Sequence, residues 1–108
     1  MKTNVDNPTS PLASEITTQT DVTVSRAIDG TVYHNTTAKP IFVVVTLNGS
    51  NQTAQFYTDS NAAPVTSVAH IQPNAVSGGV FTVSFIVLSG NYYKGVGNLS
   101  IVTWIEYQ

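Results

Sequence analysis

The sequence predicts an all-β protein, an antiparallel β-sandwich of jelly-roll-like kind, and three observations carry that prediction. No window of 11 or more residues keeps apolar positions at helical spacing. Seven to nine short strand-like runs are separated by Asn, Gly, Asp, Ser and Pro clusters, the turn grammar of sandwiches and jelly rolls. Thr, Ser and Asn supply 34 of 108 residues against 10 from Asp, Glu, Lys and Arg, so the chain is polar without being charged. β-branched residues suit strands and small polar ones suit turns.

Residues 1 to 15, with Pro8, Pro11 and little to bury, read as a flexible linker or the end of a preceding segment, and residues 16 to 108 as one domain. Residues 16 to 28 alternate, with Val22, Val24, Arg26 and Ile28 on one side. Asp29-Gly30 is a hairpin signal leading into residues 31 to 34, so the first two strands are expected to pair directly. After a break at Lys39-Pro40, residues 41 to 47 form the most apolar run. Ile41, Val43, Val45 and Leu47 make one face, and Phe42 and Val44 make the other apolar too, which predicts a central strand covered on both sides, by a second sheet or by another copy of the chain.

Asn48-Gly49-Ser50-Asn51 turns the chain into a short strand over residues 53 to 58, followed by a loop over residues 59 to 64. Residues 65 to 71 alternate as a further strand, bounded by Gln72-Pro73-Asn74 and then Ser77-Gly78-Gly79. Residues 80 to 88 place Phe81, Val83, Phe85 and Val87 on one face, while the other changes from Thr82 and Ser84 to Ile86 and Leu88 and reads as half-buried. Tyr92-Tyr93-Lys94 follows the turn at Ser89-Gly90-Asn91, and Gly95, Gly97 and Asn98 mark an irregular stretch. Residues 99 to 107 form the last strand, with Leu99, Ile101, Ile105 and Tyr107 on one side and Val102 and Trp104 on the other. Phe42, Phe81, Phe85 and Trp104 read as core. Two strands with both faces apolar exceed what a two-sheet core needs, and the excess (Phe42, Val44, Ile86, Leu88) predicts a subunit interface with further copies of the chain.

The composition excludes several functions. The four basic residues, Lys2, Arg26, Lys39 and Lys94, are scattered, leaving no basic patch for nucleic acid. No run is long enough to insert in a membrane, and the first residues lack the apolar core of a secretory signal. There is no cysteine, hence no disulfide or thiolate metal site. His34 and His70 lack metal-ligand spacing and read as hydrogen-bonded edge or interface histidines, so neither metal nor cofactor is expected. A glycosidase needs two converging carboxyls, and of the six present only Asp59 and Glu106 could meet across a cleft. No nucleophile elbow or phosphate loop is present, and no catalytic residue is assigned. The Asn-x-Ser/Thr matches at Asn35, Asn48, Asn51 and Asn98 are expected by chance in a Ser/Thr-rich chain.

Tyr57 abuts the loop at Asp59, and of the adjacent Tyr92 and Tyr93 one must face outward. An exposed tyrosine ring beside amides and a lysine can stack on a sugar face while the amides bind its hydroxyls. Alternatively it plugs the sandwich end with its hydroxyl wet.

The segments Gly30-Thr31-Val32-Tyr33-His34-Asn35-Thr36-Thr37-Ala38-Lys39-Pro40-Ile41-Phe42-Val43, Phe85-Ile86-Val87-Leu88-Ser89-Gly90-Asn91-Tyr92-Tyr93 and Trp104-Ile105-Glu106 resemble the C-terminal domain of tailed-bacteriophage tail fibres and tailspikes, over about residues 26 to 108. That resemblance implies a non-enzymatic, homotrimeric domain at the distal end of the virion's fibre, made in the host cytoplasm and attached to the rest of the tail fibre or tailspike. It also implies that the domain binds a bacterial cell-surface polysaccharide or assists trimer assembly, and the ring, amide and lysine chemistry makes Tyr57, Asn61, Asn91, Tyr92, Tyr93 and Lys94 the candidate contacts. Two other readings stay open: a trimerisation or folding cap that touches no receptor, and a monomeric carbohydrate-binding module of a hydrolase.

Overall fold

The structure, a computed structural model, describes residues 16 to 49, 52 to 72 and 79 to 108. The linker expected over residues 1 to 15 lies outside them, as do Ser50 and Asn51 of one expected turn and residues 73 to 78 between two strands.

Eight strands form two four-stranded antiparallel sheets. Sheet one contains β1 (Gln19–Asp21), β8 (Ser100–Tyr107), β3 (Ile41–Asn48) and β6 (Val80–Val87), in that order. Sheet two contains β2 (Tyr33–His34), β7 (Tyr92–Gly97), β4 (Ala54–Asp59) and β5 (Ser67–Ile71). Four of the six ladders join β1 to β8, β2 to β7, β3 to β6 and β4 to β5, so the strand numbers of each such pair add to nine. The chain is thus laid down like a long hairpin rolled up on itself, and successive strands in its first half change sheet.

That winding overturns the expected hairpin at Asp29-Gly30. β1 pairs with β8 in sheet one, whereas β2 pairs with β7 in sheet two. Residues 16 to 28 are not one strand either: β1 ends at Asp21, Thr23–Ser25 forms a single 3₁₀ turn, and Val24 is 99% exposed. Gly30, at φ 90°, does turn, but it turns the chain along β7, where its N–H donates to the Gly95 carbonyl at 3.0 Å.

Three turns use one local device. Asp21, Asp29 and Asn35 each accept, on Oδ1, the backbone N–H and hydroxyl of the threonine two residues on, at 3.0 to 3.1 Å and 2.6 Å respectively. Such side chains mimic a backbone turn. Asn35 is 1% exposed, and its Nδ2 also donates to the carbonyls of Lys39, Val87 and Leu88 at 2.9 to 3.2 Å. The Asn-x-Thr match at 35 is therefore a structural clasp, holding the approach to β3 against the end of β6.

The core lies between the sheets. Ile41, Val43, Val45 and Leu47 of β3 pack with Phe85 and Val87 of β6 and Trp104 of β8, opposite Ala54 and Phe56 of β4 and Tyr93 of β7. Phe56 sits 5.5 Å from Phe85 and 5.8 Å, edge-on, from Trp104, ring centroid to ring centroid. Phe56, inside the short strand expected over residues 53 to 58, is thus the ring joining the two sheets. Phe81 is half-buried against the core, and Phe42 lies on the opposite face of sheet one.

β3 is central in its sheet, between β8 and β6. Among the described residues no second sheet lies on its other face, which leaves another copy of the chain as the expected cover. There Phe42 and Val44 are half-buried, and Ile86, opposite Phe42, is 44% exposed in the single chain.

Two further corrections concern strand grammar. In β8 the register slips by one residue, from Thr46 opposite Thr103 to Leu47 opposite Ile101, a bulge at Val102. Ile101 therefore packs against the core on the side of Trp104, while Ile105 and Tyr107 face out, instead of all three sharing a face. Gly95 and Gly97 lie inside regular β7. A Cβ at Gly95 would stand 2.7 Å from Phe56 Cε2 and 2.8 Å from Ile28 Cγ2, so its missing side chain is the space the Phe56 ring uses.

Candidate functional site

Alternation on β2, β7, β4 and β5 sends one set of side chains inward and the other onto the outer face of sheet two. Registered across the strands, the outer set forms three rows: His34, Tyr92 and Asp59; then Lys94, Tyr57 and Ser67; then Val96, Gln55 and His70. Strands about 4.8 Å apart and a rise of about 3.3 Å per residue make this a platform on the order of 15 Å on a side. Both histidines of the chain lie on it.

Its rings are already ordered. His34 and Tyr92 stack with centroids 3.9 Å apart and planes within 9°. The Lys94 ammonium stands 5.2 Å from the centre of the Tyr57 ring, within cation–π range. Gln55 Nε2 donates to Ser67 Oγ at 2.7 Å. The Asp59 carboxylate is occupied by backbone: Oδ1 accepts from Asn61 N at 2.8 Å, and Oδ2 from Val65 N at 2.9 Å and Thr66 N at 3.0 Å. The N–H groups of Val65 and Asn61 first, and then Thr66, hold this carboxyl at about 2, below the usual carboxylate range. Asp59 is a staple for the loop over residues 60 to 66, and it stays anionic at neutral pH.

Of the six candidate contacts, Tyr57, Tyr92 and Lys94 share this platform. Asn61 and Asn91 lie at its end, Asn61 two residues past Asp59 and Asn91 directly before Tyr92. Tyr93 does not belong. It is 2% exposed and points into the core, because neighbours in a strand alternate and Tyr92 takes the outward position. Its hydroxyl donates to Glu106 Oε2 at 2.8 Å and accepts from Arg26 Nη2 at 3.2 Å.

Glu106 is the hub of this inner cluster. Oε2 also accepts from Trp104 Nε1 at 3.1 Å and Arg26 Nε at 3.2 Å, and Oε1 accepts from Arg26 Nη2 at 3.1 Å. The Arg26 guanidinium lies 4.5 Å over the Tyr33 ring, whose hydroxyl accepts from Ala27 N at 2.8 Å. Burial, and then the Glu106 charge, push the Tyr93 hydroxyl well above its ordinary value. Burial opposes the charge on Arg26, but the hydrogen bonds it donates to Glu106 and the attraction of Tyr93 and Glu106 outweigh it and hold the guanidinium above its own. Two side chains from each sheet, and Arg26 from the connection between β1 and β2, thus satisfy one another. Asp59 and Glu106, the only carboxyl pair considered for glycosidase chemistry, are on different layers facing different ways.

The outer face of sheet one has the opposite character. Tyr107, Phe42 and Ile86 form one row and Ile105, Val44 and Ser84 the next, with Thr103, Thr46 and Thr82 beyond. Phe42 and Tyr107 rings lie 6.2 Å apart. Asp21, beside Ile105 at the β1 edge, is the one charged group in these rows. Three of the four candidate interface residues, Phe42, Val44 and Ile86, lie in these rows, and Leu88 directly follows the end of β6.

His34, Gln55, Ser67 and His70 were not singled out as contacts from the sequence. Alternation shows that His34, Gln55 and His70 each face away from an apolar neighbour, whereas it sets Ser67 beside Ala69 and Ile71, and the bulge in β5 turns Ser67 outward. Only the pairing of β2 and β5 into the same sheet as β4 and β7 brings them together. Among the described residues no group of three or more His, Cys, Asp or Glu side chains is placed to hold a metal ion. No described helix is long and apolar enough to cross a membrane. Comparison with known proteins finds no matching family model, no matching curated protein and no matching solved structure.

Proposed function

We propose that the chain is a non-enzymatic, distal tip domain of a bacteriophage tail fibre or tailspike, a homotrimer of jelly-roll protomers that binds a bacterial cell-surface polysaccharide. The observation that carries this reading is the division of labour between the two outer faces. One presents apolar and threonine side chains with a single peripheral charge, suited to another copy of the chain; the other presents ordered rings, amides and one lysine, suited to a polyhydroxylated ligand. The rolled pairing, in which partner numbers add to nine, supports the jelly roll.

A single sugar site of this shallow kind binds weakly. Three linked copies gain a factor of roughly 10² to 10⁴ when geometry lets them engage together, and this supports the trimer as the working unit. The test is binding of the chain to an array of bacterial surface polysaccharides. Tyr57→Ala and Tyr92→Ala should each abolish detectable binding while leaving the unfolding free energy in urea within about 1 kcal/mol of the parent, as for half-exposed strand positions. Absence of binding to any polysaccharide or host envelope fraction would rule the reading out.

The apolar face of sheet one favours a second reading just as well, a trimerisation cap without receptor contact. Deleting the domain from a full-length fibre separates the two: loss of a cap yields monomers or aggregates, and loss of a receptor domain leaves a stable trimer that no longer adsorbs.

A further inference from the structure

His34 stands at the corner of the sheet-two platform with its orientation fixed twice, by the parallel stack on Tyr92 and by a 3.2 Å contact between Nε2 and the Gly90 carbonyl. A carbonyl oxygen only accepts, so Nε2 must carry the hydrogen. In the neutral imidazole the lone pair is then on Nδ1. Nδ1 has no hydrogen-bond partner among the described residues, and the side chain is exposed.

Each Asp59 oxygen already accepts at least one backbone N–H, and Lys94 is a donor only. His34 Nδ1 is therefore a rigid, ready acceptor next to an aromatic surface, and little ordering cost remains when a donor arrives.

We infer that His34 is a specificity-determining contact of this face, with Nδ1 accepting a hydrogen bond from an unsubstituted sugar hydroxyl seated beside Tyr92. This rests on the glycan-binding reading and sharpens it. A hydroxyl capped by an acetyl or methyl group has no hydrogen to give, so the preferred polysaccharide is free at that position, and its O-acetylated form is rejected.

Two measurements on the whole chain test it. Long-range ¹⁵N–¹H correlation of the imidazoles at pH 8, where a neutral ring shows its tautomer, should find His34 as the Nε2–H form; the Nδ1–H form overturns the inference without any ligand. The second uses one O-acetylated bacterial polysaccharide bound on the array, before and after mild alkaline de-O-acetylation. The parent should bind the de-O-acetylated form about tenfold more tightly, the value of one net hydrogen bond, and His34→Phe, which keeps the aromatic stack and removes the acceptor, should bind both forms equally at the weaker level. Equal preference in parent and His34→Phe overturns the role of His34 while leaving glycan binding intact. No binding by the parent to either form overturns both.

Discussion

Buried polar side chains cost stability unless each hydrogen-bonding group is met, and Glu106 shows the requirement being met in full: four donor contacts from Arg26, Tyr93 and Trp104 converge on its two oxygens. Replacing it with Ala strands the Arg26 charge beneath the Tyr33 ring. Glu106→Ala should cost about 3 to 5 kcal/mol of unfolding free energy in urea, as for other broken buried pairs, whereas Arg26→Met with Glu106→Leu should recover only the part due to the stranded charge, because the buried Tyr93 hydroxyl and Trp104 indole N–H still lose their partner. A pair that merely faced solvent would give under about 1 kcal/mol either way. Asp59 makes a complementary point through pH. Its folded value of about 2 lies below the unfolded value near 3.9, so its contribution is full above the unfolded value and is lost as pH falls through about 2. Asp59→Asn cannot accept Val65 and Thr66 N–H groups through its amide nitrogen. The stability gap between parent and Asp59→Asn, followed by thermal melts, should therefore be largest near pH 5 to 6 and shrink toward pH 2. These roles were only partly legible in the sequence. Alternation of Tyr92 and Tyr93 required one ring to point inward, but which one depended on where Glu106 and Arg26 would meet it, 13 and 67 positions away along the chain.

At the scale of elements, local chemistry identified strands well and their partners poorly. The runs that became β3, β4, β6 and β8 stand out because apolar side chains alternate or run continuously there, a signal present in each segment by itself. The Asp29-Gly30 signal misled because a turn residue specifies a change of direction, not the strand that receives it; here the receiving strand is β7, more than 60 residues later. The bulge at Val102 was invisible for a similar reason, since a register slip is set by the partner strand. Gly95 and Gly97 read as irregular because glycine weakens strands, yet both are retained for space. Gly95→Ala should therefore destabilise by about 1 to 3 kcal/mol, the cost of overpacking, measured by chemical denaturation. The clash at Gly97 is with the Thr53 carbonyl oxygen, 2.2 Å from the added Cβ, and backbone cannot step aside as a ring can. Gly97→Ala should accordingly be the more damaging of the two, whereas intrinsic strand propensity alone would make both changes favourable.

At the scale of the whole molecule, the unresolved stress lies on sheet one. Among the described residues β6 is an edge strand of eight residues, Val-Phe-Thr-Val-Ser-Phe-Ile-Val, with no charge and no proline, paired on one side to β3. Proteins ordinarily blunt such an edge with lysine, proline, a bulge or brevity. The other three edges of this molecule are blunted: β1 has three residues and β2 two, and β5 is interrupted by a bulge opposite Phe56 and Tyr57. The free edge of β6 also adjoins the apolar face, and Ile86 belongs to both. A covering copy would hide the edge and the face together, while an unassociated chain would keep both wet. Ile86→Lys distinguishes these states. On a solitary protomer the substitution is at a 44% exposed position and should change stability by less than about 0.5 kcal/mol. At the centre of an association it buries an unpaired ammonium, a cost of several kcal/mol, so a trimer in sedimentation equilibrium at micromolar concentration should become a folded protomer. Val44→Lys should act the same way and Lys94→Glu, on the opposite sheet, should not. A parent that sediments as a single protomer, unchanged by either lysine, would remove the physical basis for assembly through this face and leave the edge of β6 to be explained by the residues that precede or follow it.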